Sequence, residues 1–193
     1  RARNIVTPGA LEPWQGLSLG NARGADCLYR GAEAFDWTRR RSAASGRGRF
    51  RTGVGMAAAT HINGCFPGED EATTATLRLT PEGRIELTCA LHDLGCGSDT
   101  TLAQIAAEVL GVRAADIRIT PADTDTCPYD LGTRASRMTY IVGEAVRLAA
   151  TALAAAIVDT GGQALNAARS EIRLRGGQIE APHRAITLAD LAA

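Results

Sequence analysis

Two segments of this chain concentrate glycines, hydroxyls and charges where a helix begins. The first is Asp93-Leu94-Gly95-Cys96-Gly97-Ser98-Asp99-Thr100-Thr101, set between an alternating apolar stretch and a helical run. Gly95 and Gly97 permit backbone angles closed to other residues and let a ligand approach the chain closely. Amides at the start of a helix, together with its dipole, favour an anion. The hydroxyls of Ser98, Thr100 and Thr101 add donors and acceptors suited to phosphate oxygens. The chemistry is binding of phosphate or another anion. The plain alternative is an ordinary strand–turn–helix capped by Ser98 or Asp99.

The second segment is Asp123-Thr124-Asp125-Thr126-Cys127-Pro128-Tyr129-Asp130-Leu131-Gly132-Thr133-Arg134-Ala135-Ser136-Arg137. Its acidic residues lack the regular alternate ligands of a calcium-binding EF-hand loop. Arg134 and Arg137, close to a helix start, make a second anion-binding arrangement. The competing reading pairs them with Asp123, Asp125 and Asp130 as solvated ion pairs. Two such loops at one end of a sheet could converge on one elongated, multiply phosphorylated ligand.

Other chemistry-bearing residues are scattered. His61, His92 and His183 lack ligand spacing, so surface or turn roles are expected of them. Cys27, Cys65, Cys89, Cys96 and Cys127 are odd in number and contain no CxxC pair, which disfavours a zinc or iron–sulfur site and a disulfide scaffold. Reduced thiols in a cytoplasmic protein are the expectation, with Cys65, Cys89 and Cys127 buried as small hydrophobes. Trp14 and Trp37 read as packing anchors.

The elements that must position the two loops follow from periodicity. Residues 1–25 carry turn signals and read as an irregular connector. Ala25 to Arg41 forms a short amphipathic helix, and Ser42 to Arg49 a loop. Arg51 to Cys65 reads as an extended, buried strand. Thr74 to Leu79 and Arg84 to Leu91 alternate and form a hairpin around Pro81-Glu82-Gly83. A helix runs from Ser98 or Asp99 to Leu110 and stops at Gly111. Asp116 to Thr120 is a short strand. A long helix spans Ser136 to Val158, with Gly161-Gly162 just past its end. Glu171 to Leu174 and Gln178 to Glu180 make a second small hairpin, and Thr187 caps a terminal helix over Leu188 to Ala193. The expected fold is α+β: a two-layer α/β sandwich in which two main helices cover one face of a mixed sheet. Residues 1–45 are assigned to the connector and short helix, and 46–193 to the principal domain.

Composition narrows the function. Apolar residues make up 45 % of the 193, enough for a packed core, while aromatics are only 4 %, so Ala, Leu, Ile and Val must build it. Lys plus Arg equals Asp plus Glu at 21 each, which gives no support for a nucleic-acid or membrane-surface partner. No apolar run reaching the ~20 residues of a bilayer span is expected, nor a signal peptide. Neither end reads as a natural terminus, so a piece of a longer polypeptide is expected.

The run from Arg51-Thr-Gly-Val-Gly-Met-Ala through the hairpin to Asp-Leu-Gly-Cys-Gly-Ser-Asp-Thr-Thr-Leu-Ala-Gln-Ile-Ala-Ala-Glu-Val-Leu-Gly-Val is similar to the molybdopterin-binding large subunit of the xanthine dehydrogenase/aldehyde oxidase family. The later Asp-Thr-Asp-Thr-Cys-Pro-Tyr-Asp-Leu-Gly-Thr-Arg-Ala-Ser-Arg-Met-Thr, followed by Gly143-Glu-Ala-Val, resembles its bacterial branch. The opening Arg1-Ala-Arg-Asn-Ile-Val and Phe35-Asp-Trp also fit the lead-in to this domain, so the resemblance covers nearly the whole chain.

The resemblance implies a molybdenum hydroxylase. Its pyranopterin cofactor would be molybdopterin cytosine dinucleotide carrying molybdenum, and electrons would pass to iron–sulfur clusters and FAD on partner subunits or domains. Gly95, Cys96, Gly97, Ser98, Asp99, Thr100 and Thr101 would contact the pterin and pyrophosphate. Leu131, Gly132, Thr133, Arg134, Ala135, Ser136 and Arg137 would line the other side, with the Ala135 backbone near the metal and Ser136 near the pterin. Cys96 stands where most relatives carry glutamine. The family's catalytic glutamate belongs to a downstream glycine-rich segment that has no counterpart here, and the upstream half of the large subunit is missing, so this piece is expected to be inactive alone. Its small-molecule substrate would be selected largely by those other segments. Two further readings stay open: a cofactor-free structural module of the same fold, and a stand-alone binder of nucleotides or small phosphates.

Overall fold

The computed structural model describes residues 1–43, 48–61, 64, 71–90 and 92–193. The chain divides into two compact units, Arg1–His61 and Ile62–Ala193.

In the first unit, helices α1 (Gly24–Ala34) and α2 (Trp37–Ala43) replace the single helix expected from Ala25 to Arg41. The break falls at Asp36, whose φ of 52° is left-handed; Asp tolerates that region because its short polar side chain can bond locally. Trp37 is half-buried, its ring 6.5 Å from that of Phe35, with the Arg41 guanidinium 5.6 Å from its centroid. Trp14, by contrast, is 92 % exposed and anchors nothing within this unit. Residues 51–61 form no strand and are mostly exposed, so the buried strand expected there is absent from its described part. Cys65 and Leu91 lie outside the described residues, as does much of the Ser42 to Arg49 loop.

The second unit is built as its pattern predicts at the start. Strand β1 (Ala75–Leu79) pairs antiparallel with β2 (Ile85–Cys89), Leu77 facing Leu87. Gly83, left-handed at φ 76°, makes the turn. Strict alternation directs Ile85, Leu87 and Cys89 into the core, each 2 % exposed or less, and leaves Arg78 to bond Glu86 across the outer face at 2.6 Å. Helix α3 (Ser98–Leu110) buries Leu102, Ala103, Ala106, Ala107 and Leu110, a stripe at helical spacing. It delivers the chain to β3 (Ile117–Ile119), which pairs parallel with β2 through Ile85–Ile117 and Leu87–Ile119. The sheet is therefore mixed, as expected.

Beyond the second loop, a π-helical turn (Met138–Val142) leads into α4 (Gly143–Leu165). Helix α4 packs beside α3 and across β1, burying Val146, Ala150 and Ile157. It runs seven residues past the expected end at Val158, with Gly161 and Gly162 inside it and buried. The reason is tertiary: a Cβ on Gly161 would sit 2.6 Å from Cγ2 of Ile179, so the helix is thinned where a second sheet presses on it. By length and composition Met138–Leu165 is apolar enough to cross a bilayer, contrary to expectation. One face of it belongs to the protein core, and such core helices meet the same criterion.

The strands after α4 form their own sheet rather than joining the first. Strands β4 (Arg173–Arg175), β5 (Gln178–Ala181) and β6 (Arg184–Thr187) make an antiparallel meander, β6 being unexpected. The terminal helix α5 (Leu188–Ala192) starts at Thr187, whose hydroxyl accepts the Asp190 amide at 3.0 Å while Asp190 accepts the Thr187 amide at 2.9 Å.

Gly111 ends α3 at φ 65°, and its carbonyl accepts the Gly176 amide at 2.6 Å. A Cβ there would lie 2.6 Å from the Leu174 carbonyl oxygen, whereas one on Gly176, at φ 57°, meets open space. Gly176→Ala should cost only the left-handed strain, roughly 1–2 kcal/mol. Gly111→Ala should add overpacking and cost about 2–4 kcal/mol in urea unfolding. Equal costs would show that the close approach of α3 to β4 is wrong.

Candidate functional site

Because β2 and β3 run parallel, the loops leaving their C-terminal ends emerge at the same edge of the sheet, where open α/β sheets bind ligands. The first loop, 90–97, and the second, 120–137, are the two chemistry-bearing segments. They are tied together. Thr133 Oγ1 donates to the His92 carbonyl at 2.8 Å and accepts the His92 amide at 3.4 Å. Cys127 Sγ donates to the Cys89 carbonyl at 3.6 Å, and the Thr88 and Thr120 hydroxyls meet at 3.3 Å. A cleft of about 380 Å³ between the loops is lined by His92, Asp123, Cys127, Tyr129 and Asp130 among others.

In the first loop the turn is organised by Asp93. Its Oδ1 accepts the amides of Gly95 at 2.8 Å and Gly97 at 3.1 Å. Those bonds, the Gly95 amide foremost, hold its carboxyl below the usual carboxylate range. The residue in the cap position is Gly97, left-handed at φ 72°, and no side chain caps the helix, so neither Ser98 nor Asp99 has that role. Gly95 and Gly97 have nothing within 4 Å of where a Cβ would stand. Cys96, Asp99 and Thr100 are exposed, and the Thr101 hydroxyl donates back to the Gly97 carbonyl at 3.0 Å. Ser98 is 3 % exposed, and among the described residues its hydroxyl has no hydrogen-bond partner at the head of a thirteen-residue helix.

The second loop turns on strained backbone. Gly132 is left-handed with open space at its Cβ position, and its amide donates to Asp130 Oδ1 at 2.7 Å. Ala135 and Ser136 follow at φ 48° and 57°. Two consecutive non-glycine residues in that region cost roughly 1–2 kcal/mol each, and such strain persists only where surroundings enforce it. The Ala135 carbonyl accepts the Gly64 amide at 2.8 Å, and Ser136 is exposed. Leu131, Gly132, Thr133 and Arg134 are half-buried.

Arg137 is withdrawn into the protein at 2 % exposure. Its guanidinium donates to Glu71 and Asp130, both at 2.7 Å, and to the carbonyls of Gly132 at 3.2 Å and Ala72 at 3.3 Å. Burial weakens its hold on the proton, but the two carboxylates outweigh burial and keep it charged. Of the two readings open for Arg137, the ion pair is the one seen, and it is buried rather than solvated. Cys89 is a buried thiol, pushed up to about 12 by burial, with Cys127 and Asp130 adding to the rise. Cys127 is half-buried and Cys96 exposed; among the described residues no His, Cys, Asp or Glu cluster could hold a metal ion.

Three contributors escaped the sequence. Asp93 could have been found as an Asx turn, an Asp two residues before a glycine. His92 acts through its backbone, and Glu71 meets Arg137 across sixty-six positions, so neither leaves a local signal.

The family described as molybdopterin cofactor-binding domain matches residues 30–193. The xanthine dehydrogenase molybdenum-binding subunit of Escherichia coli O157:H7 is 32 % identical over 198 residues, covering 100 % of this chain and 26 % of that protein. The carbon monoxide dehydrogenase large chain of Afipia carboxidovorans is 38 % identical over 112 residues, covering 54 % of this chain and 14 % of that one. In structure, quinoline 2-oxidoreductase from Pseudomonas putida 86 aligns over 100 % of this chain and 26 % of its own, with a TM-score of 0.55 at 24 % identity, a likeness of fold alone. The chain thus spans about a quarter of the length of the first of these relatives.

Asp93 generates a pH prediction. Its folded-state acidity is raised, so its grip on the turn is complete above the ordinary Asp value of about 3.9 and is lost as pH falls through the lower folded value. Amide exchange at Gly95 and Gly97, followed by NMR and corrected for intrinsic rates, should stay slow through the ordinary Asp range and quicken only below it. In Asp93→Ala it should be fast throughout. Protection that ignores both acid and the substitution would remove Asp93 as the organiser of the turn.

Proposed function

The chain belongs to the molybdopterin cofactor-binding domain family, and we propose that it is the cofactor-binding part of the large subunit of a molybdenum hydroxylase of the xanthine dehydrogenase type. The observation that carries this reading is the pair of glycine-bearing loops at one sheet edge, tied through His92 and Thr133. The residues fit such a group. Open backbone at Gly95, Gly97 and Gly132 leaves room for close approach, and the Ser98 hydroxyl, without a partner among the described residues, offers a bond at a helix start.

In this reading the cofactor is the cytosine dinucleotide form. Gly95 to Thr101 hold the pterin and pyrophosphate, while Leu131 to Ser136 line the opposite side. When bound, the group supplies the chemistry of inserting oxygen from water into a substrate C–H bond. This chain's own contribution is binding and orientation: a rigid edge, hydrogen-bond donors from the backbone, and a cleft walled by His92, Asp123 and Tyr129. The base that moves the proton belongs to a segment outside this chain, so the piece alone is inactive. The whole protein would work in the cytoplasm, with FAD and iron–sulfur clusters on partner subunits taking the electrons from a small-molecule substrate.

One observation favours a second reading, a cofactor-free module of the same fold. Asp93 already fills the amides of Gly95 and Gly97, placing a carboxylate where the first reading needs room for pyrophosphate.

Molybdenum content decides between them. In the intact parent protein, purified with its partner subunits from its native host, elemental mass spectrometry should find stoichiometric molybdenum. Absence of the metal, with cofactor synthesis shown to be working in that host, would favour the cofactor-free module.

A further inference from the structure

Arg137, which the resemblance places beside the cofactor, lies instead in the interior between the second loop and the segment entering β1. It is nine-tenths buried and more, yet charged, and its guanidinium bonds Glu71, Asp130 and the carbonyls of Gly132 and Ala72 in the interior. A buried charge cluster is a poor source of stability, since desolvation offsets much of the attraction. Its burial therefore points to another role.

The geometry supplies one. Asp130 Oδ1 accepts from both Arg137 and the Gly132 amide, and Arg137 also bonds the Gly132 carbonyl. Gly132 is thereby held through both its amide and its carbonyl, one in each of the two peptide groups that flank its Cα. On the other flank Glu71 and the Ala72 carbonyl bind the same guanidinium, so the loop is fastened to the segment entering β1. Between Gly132 and Arg137, both held in this way, lie Ala135 and Ser136, the consecutive left-handed residues. The chain needs an external constraint to stay in that conformation, and the planar guanidinium fork, reaching four acceptors in fixed directions, is one that lysine cannot imitate.

We infer that Arg137 is a positioning residue: through Asp130, Gly132, Glu71 and Ala72 it enforces the Ala135–Ser136 turn, and so presents the second loop to the cofactor while touching no part of it. The assignment to a cofactor rests on the function proposed above. The enforcement of the turn does not.

The test uses the full-length subunit with its partners. Arg137→Met alone strands two carboxylates largely withdrawn from solvent and risks misfolding, so Glu71→Gln/Asp130→Asn/Arg137→Met is made beside it, removing all charge from the cluster at similar volume. Three quantities are read: melting temperature, hydrogen exchange at the Gly64 amide, which donates to Ala135, and molybdenum content. The triple variant should melt near the wild type, exchange Gly64 about tenfold faster or more as the turn opens locally, and hold at most a small fraction of the wild-type molybdenum. Unchanged Gly64 protection would overturn the assignment, as would global unfolding of the triple variant, which would make the cluster a general stabiliser. Faster exchange with full molybdenum content would overturn the link to the cofactor. A wild-type protein devoid of molybdenum would fail the proposed function instead, and Gly64 exchange would still judge the turn.

Discussion

The parallel pairing of β2 with β3 is the constraint on which the site depends. An antiparallel neighbour would return the chain to the opposite edge and separate the two loops by the length of a strand. Parallel pairing requires a crossover, and α3 provides it, its alanine-rich stripe letting the helix lie close to the sheet. Both loops then leave the same edge within hydrogen-bonding reach of each other. The short β3, with three residues, is long enough because Thr120 extends its bonding by one amide to Leu87.

Around that edge the protein places its polar groups in two different ways. Asp93 sits in solvent and spends its carboxylate on two backbone amides, an arrangement that is local and quickly remade. Arg137 sits in the interior and joins segments sixty-six residues apart, an arrangement that exists only once the fold is complete. The first loop is therefore ordered by its own sequence, and the second by its surroundings.

That difference explains what could be read beforehand. The β1–β2 hairpin was legible because residues 75–79 and 85–89 alternate cleanly about a Pro-Glu-Gly turn, and α3 because Gly111 stops a periodic run, although the cap is Gly97 and not Ser98 or Asp99. Thr187 with Asp190 announced α5 correctly. The errors arose where distant contacts overrode local punctuation. Gly161-Gly162 looks like a helix stop, but Gly161 lies under Ile179, Gly162 lies against the Ala167 carbonyl, and the helix continues. Ala135-Ser136 contains no glycine to announce a left-handed turn, and Arg137 looks like a surface cation until Glu71 and Asp130 close around it. Strand β6 is four residues with only one strongly apolar member, too short for alternation to show.

The glycine pair also acts as a detent. A methyl-sized notch that receives one branched side chain fixes α4 along its own axis: sliding the helix by one turn would drive Ile179 against Ile157 or Leu165. Indexed at that end, the helix has its first residue, Gly143, roughly 27 Å away at 1.5 Å per residue, at a fixed position. The π-helical turn at Met138–Val142 is the element between that helix start and the strained Ala135–Ser136 pair, so a change in helix length is passed through it. Insertions or deletions within α4 would thus be felt as a displaced Ser136 rather than as a weakened core.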